Sequence, residues 1–134
     1  MPLTDAELIS LAEGWIAFWC ASDGSQEREA LTWVWDQEYD LMEKEPEQIW
    51  RLILEVLRRN SSNKIQEVLS AGPLEDLLAK YGDAVIEKVE TEAKSNPLFA
   101  QLLGGVWKSS MTDDIWARVQ AVQDRRGWDG IPNA

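Results

Sequence analysis

Apolar residues recur along this chain at three- and four-residue intervals, the spacing that places them on one face of an α-helix. The clearest case is Ile49, Leu52, Ile53, Val56 and Leu57, which predicts a helix over 46–59. Glu45-Pro46 opens it, since the residue before a proline avoids the α region and proline suits a first helical turn. Asn60-Ser61-Ser62-Asn63 breaks it. Upstream, Leu8, Leu11, Trp15, Phe18 and Trp19 mark a helix over 5–21, started by a Thr4/Glu7 capping box. After the turn Ser22-Asp23-Gly24-Ser25, with Ser25 as cap, Leu31, Trp35, Tyr39 and Met42 mark a second helix over 26–43.

Downstream the elements shorten. Ile65, Val68 and Leu69 predict a fourth helix over 63–71. Gly72-Pro73 then predicts a sharp corner, with Gly72 in the left-handed cap position and Pro73 starting a fifth helix over 73–81. Gly82 ends that helix and Asp83 caps a sixth over 84–95, with Val85, Ile86, Val89 and Ala93 inward. Asn96-Pro97 starts a seventh, carrying Leu98, Phe99, Leu102, Leu103 and Val106. Thr112 caps an eighth over 113–126, using Ile115, Val119 and Val122. No segment alternates as a half-buried strand does. The chain therefore reads as one all-α domain over 1–134, about eight short helices either bundled or stacked in solenoid-like pairs. Residues 127–134 read as an irregular tail. Segments opening near Pro46, Pro73 and Pro97 hint at a repeat without matching a named one.

Two features of this pattern are not absorbed by a core. Trp33 and Trp35 are two apart on a helix and face different ways, so one of them is placed to meet either a neighbouring helix pair or a partner. Asp36, Asp40 and Glu43 share one face near the negative end of the helix dipole, where like charges cost stability. Such a stripe suits docking to a basic surface. Trp128 either pins the tail onto the core or stands exposed as an interface anchor. Trp107 and Trp116 flank a turn and are placed to pack together.

Composition sharpens this. There are 24 Asp+Glu against 13 Lys+Arg, a net charge of −11. That opposes direct binding to phosphate backbones or anionic membranes and favours a basic protein partner. Histidine is absent, which removes Ser-His-Asp and Cys-His catalysis and histidine-containing zinc sites. No phosphate-cradling glycine loop occurs, and Gly104-Gly105 stands alone. No catalytic residue, cofactor or metal is therefore expected. Cys20 is a lone cysteine, read as a small buried hydrophobe in a reducing compartment. The start of the chain has no signal-like run and no apolar stretch spans a bilayer, so the expected location is cytoplasmic.

The segment Ser70-Ala71-Gly72-Pro73-Leu74-Glu75-Asp76-Leu77-Leu78 resembles the signature of an uncharacterised bacterial family of unknown function. Trp50 and Ile53 match further elements of it, as do Gly82 and Ile86, Glu90 and Ala93, Pro97 and Phe99, and Leu103 to Trp107. The resemblance covers about residues 46–120. It implies a bacterial or phage-related origin and a helical fold, and no activity. The motif itself reads as structural: Gly72 and Pro73 set the corner, Glu75 and Asp76 favour a helix start, and Leu74, Leu77 and Leu78 face inward.

The expected function is a non-enzymatic interaction module, most concretely an immunity-like or inhibitor protein on a basic partner surface, with Trp33, Asp36, Asp40, Glu43 and Trp128 as its contact residues. A DNA mimic and a carboxylate- or metal-dependent enzyme are the alternatives.

Overall fold

The structure, a computed structural model, describes residues 2–126 and 128. It is all-α: α1 (Asp5–Cys20), α2 (Gln26–Glu29), α3 (Trp33–Lys44), α4 (Pro46–Arg59), α5 (Asn63–Leu69), a π-helical turn (Ser70–Leu74), α6 (Glu75–Ser95), α7 (Pro97–Leu103) and α8 (Asp113–Val122). Among the described residues there is no strand, and no helix is long and apolar enough to cross a membrane. The chain divides into two compact units, Met1–Ile65 and Gln66–Ala134, the division falling inside α5.

In the first unit, α4 packs on α1 and α3. Its predicted limits and its predicted stripe, Ile49 to Leu57, are all observed, and the stripe is buried. The Thr4 capping box forms, with Glu7 N–H donating to Thr4 Oγ1 (3.1 Å) and Thr4 N–H donating to Glu7 Oε1 (2.9 Å). Ser25 caps α2 as expected, accepting from Arg28 N–H. Gly24 carries the left-handed turn before it, at φ 74°.

The second predicted helix differs in two ways. It is broken into α2 and α3, because residues 30–32 take a tighter turn in which Thr32 Oγ1 donates to Glu29 C=O. Of its predicted inward face, Leu31, Trp35, Tyr39 and Met42, only Met42 is buried. Val34, Leu41 and Met42 are the buried residues, and Trp35 and Tyr39 point out.

In the second unit, α6 packs on α7, α8 and the π-turn. The corner expected at Gly72-Pro73 is absent: Gly72 is not left-handed, and the backbone passes through Ser70–Leu74 as a widened helical turn. A π-turn admits a proline whose missing N–H and ring would disrupt an α-turn. Asp83 caps nothing, because α6 runs on through a kink at Tyr81 (φ −129°, ψ 29°). The kink coincides with the close seating of Gly82 on Ile115, where a Cβ would lie 3.0 Å from that side chain. Asn96 and Thr112 cap α7 and α8 through their side chains.

Helix α8 ends at Val122, four residues early, because the following segment turns back over the end of α7. Asp124 N–H donates to Ala100 C=O (2.9 Å), Gln123 Nε2 to Leu103 C=O (3.1 Å), Arg125 Nη1 to Gly104 C=O (3.2 Å) and Trp128 Nε1 to Gln101 C=O (2.7 Å). Carbonyls at the C-terminal end of α7 thus accept from Gln123, Asp124, Arg125 and Trp128. Of the expected tail 127–134, only Trp128 lies among the described residues.

Candidate protein-interaction face

At about 100° per residue, α3 places Val34, Glu38, Leu41 and Met42 on one side. Asp36, Asp40 and Glu43 fall on the opposite side, and all three are exposed. Trp35 and Tyr39 flank the carboxylates on one edge and Trp33 on the other. The four residues Trp33, Asp36, Asp40 and Glu43 follow each other at i, i+3, i+7 and i+10, a stripe about 15 Å long.

The inward register is fixed by Glu38. It sits where a hydrophobe would be expected in the stripe, and its Oε1 accepts the indole N–H of fully buried Trp15 at 2.6 Å. That bond satisfies a donor that would otherwise be stranded in the core. With Glu38 turned in, Trp35 and Tyr39 are turned out, at 55% and 69% exposure.

Trp33 and Trp35 each have a footing. Trp33 is 41% exposed and lies against Gly14 of α1, where a Cβ would come within 2.7 Å of its Cζ2. Trp35 packs on Phe18 (centroids 5.5 Å) and Trp19 (6.3 Å). These rings are preordered, which lowers the entropy lost when a partner covers them. The other flank of the cluster is covered by Arg28, whose guanidinium lies 4.8 Å from the Phe18 centroid and 5.2 Å from that of Trp19.

Of the residues singled out from sequence, Trp33, Asp36, Asp40 and Glu43 are thus brought together on one exposed stripe. Trp128 is not part of it. It is buried to 7% exposure, its ring seated over Gly105 and its indole N–H bonded to Gln101, so it serves the tail and offers no anchor. Trp107 and Trp116 make no ring contact with each other; Trp107 is exposed and its backbone N–H donates to Glu75 Oε1 (3.0 Å). Trp35, Tyr39 and the Trp15–Glu38 bond were missed by the sequence reading. The available signal was Glu38 itself, four residues after Val34 and three before Leu41.

Within Gly72 to Leu78, Leu74, Leu77 and Leu78 are buried, and Pro73 is buried inside the π-turn. Glu75 and Asp76 lie in the first turn of α6. Burial pushes the Glu75 carboxyl above its ordinary value, with the Trp107 N–H pulling it down and Asp76 pushing it further up. Asp76 is raised as well, by the packed protein beside it, against the pull of Lys80.

A cleft of about 290 Å³ opens at the α6 kink, lined by Leu78, Lys80, Tyr81, Asp83, Thr112 and Ile115 among others. It is at the small end of ligand pockets, which start near about 300 Å³. Among the described residues no group of three or more Asp, Glu or Cys side chains is placed to hold a metal ion.

The fold and this face define a helical domain with an acidic, aromatic-edged outer helix. The chain belongs to a family of unknown function (DUF6869), whose model matches residues 21–127 and so encloses the resemblance seen over 46–120. No curated protein and no solved structure matches the chain.

Proposed function

We propose that the chain is a protein-interaction module that docks a basic partner surface through the outer face of α3, most concretely an immunity-like or inhibitor protein on a toxin or enzyme. The observation that carries this reading is the join of two costs on one helix face. Three carboxylates repel one another there, and two large aromatic rings beside them stand in water. Both costs are relieved together by a basic surface with apolar stems. The net charge of −11 adds long-range steering toward such a partner, and aromatic anchors slow its release. The segments at Gly72–Leu78 and Leu103–Trp107 support a bacterial or phage-related origin for the module.

A photo-crosslinking residue placed at Tyr39 in the full chain, in its source cells, tests the reading. One dominant adduct with a basic protein is expected, lost on adding Asp40→Lys and absent when the crosslinker replaces exposed Lys94. Equal adducts from both positions, or none, overturn it.

A further inference from the structure

Resting on the reading above, we propose that α3 captures arginine specifically, as two arginines four residues apart on a helix of the partner protein. The chain's own Arg28 displays the chemistry. Its guanidinium stacks on the Phe18 and Trp19 rings while Nη1 donates to Asp23 Oδ1 at 3.1 Å and Nε donates to Phe18 C=O at 3.2 Å. A planar cation is held over two aromatic rings, with one N–H given to an aspartate and another to a backbone carbonyl.

Trp35 extends that same ring cluster to the surface, packing on both Phe18 and Trp19. Next to it in sequence is Asp36. One turn on, Tyr39 is followed by Asp40. The outer face therefore offers the same two residue types twice, an exposed aromatic and an exposed aspartate at neighbouring positions, as Trp35/Asp36 and Tyr39/Asp40. Among the described residues neither the Asp36 nor the Asp40 carboxylate makes a hydrogen bond or an ion pair. The two settings are separated by four residues, about 6 Å along the axis, which is also the rise between arginines four apart on a partner helix. Lysine meets the charge but not the geometry: its compact, strongly hydrated ammonium neither stacks as a plane nor forks to a carboxylate.

The experiment uses the full chain and alanine-based helical peptides carrying two arginines four apart, or two lysines, followed by amide shifts of α3 in NMR titrations. The arginine peptide is expected to bind about fivefold more tightly than its lysine twin. Trp35→Leu, with native circular dichroism, is expected to erase that preference. Asp40→Asn weakens both peptides, and the control Glu87→Gln on α6 leaves both unchanged. Equal affinity for the twins with sensitivity to Asp40→Asn overturns the arginine inference and leaves α3 as the docking face. Loss on Glu87→Gln as large as on Asp40→Asn, or no saturable shift in α3, overturns both.

Discussion

Gly104 and Gly105 are the positions where a single methyl group would do the most damage. A Cβ on Gly104 would sit 2.0 Å from the Asp124 backbone oxygen, and one on Gly105 would sit 2.6 Å from Trp128 Cη2. Backbone cannot swing aside as a flexible side chain does. Gly104→Ala is therefore expected to lower stability by about 1–3 kcal/mol or more, read as a shifted urea midpoint at unchanged slope. Gly72 is the contrast. Nothing lies within 4 Å of its missing Cβ and its φ is not positive, so Gly72→Ala is expected to be neutral or to stabilise by about 0.4–1 kcal/mol. Strong destabilisation there would restore the left-handed corner that Gly-Pro suggests in sequence. Glu38→Ala strands the buried Trp15 N–H, at an expected cost of about 1–3 kcal/mol, whereas Glu38→Gln retains an acceptor and most of the stability.

At the scale of the element, α4 and α3 show what sequence does and does not reveal. Every inward position of α4 except Gln48 is apolar, so its periodicity and its limits are open to reading. In α3 the inward row contains a glutamate and the outward face contains tryptophan and tyrosine, so a rule that turns apolar residues inward selects the wrong face. The partner of Glu38 comes from α1, 23 positions away, and no local pattern contains it. The acidic stripe, by contrast, was legible, because exposed charges need only helix arithmetic. The π-turn was not: Gly-Pro reads as a break, and the wider ring that absorbs it leaves no compositional mark. Two predictions belong here. Asp40→Lys replaces i,i+4 repulsion of Asp36 by attraction and is expected to stabilise the fold by about 0.3–0.5 kcal/mol while abolishing capture by the α3 face. Glu75, at the start of α6, has a folded-state carboxyl raised above its ordinary 4.5. A raised carboxyl means that the folded chain holds its proton longer than the unfolded one, so stability falls as pH rises from 4.5 through the higher folded value. Glu75→Gln keeps an acceptor for Trp107 N–H, and its stability relative to wild type is expected to grow between about pH 4 and pH 7 in paired urea titrations. Parallel curves would remove Glu75 from that account.

For the whole molecule, charge sets the terms. A chain with 24 acidic groups against 13 basic ones repels itself, and its exposed pairs, such as Arg118 with Glu90 and Arg126 with Asp124, offset only part of that. The Asp124 carboxyl is held down to about 2 by hydrogen bonds from the Arg126 side chain and backbone. Raising sodium chloride from about 0.01 M to about 0.3 M is expected to raise the melting temperature by screening the repulsion, while slowing association with a basic partner. A melting temperature that falls with salt would show that attractive pairs dominate instead.

The folded-back segment at the end of the described chain bears on how fragments of this protein are cut. The family match stops at residue 127, one short of the indole that roofs Gly104 and Gly105. A fragment trimmed at that limit would keep a glycine-floored hollow with nothing in it, at an expected loss of about 3–5 kcal/mol. The hollow has the outline of the ring that left it, and a carbonyl at Gln101 waiting for a donor. Free indole, added to a Trp128→Gly protein, is expected to occupy it and raise the unfolding temperature in proportion to dose.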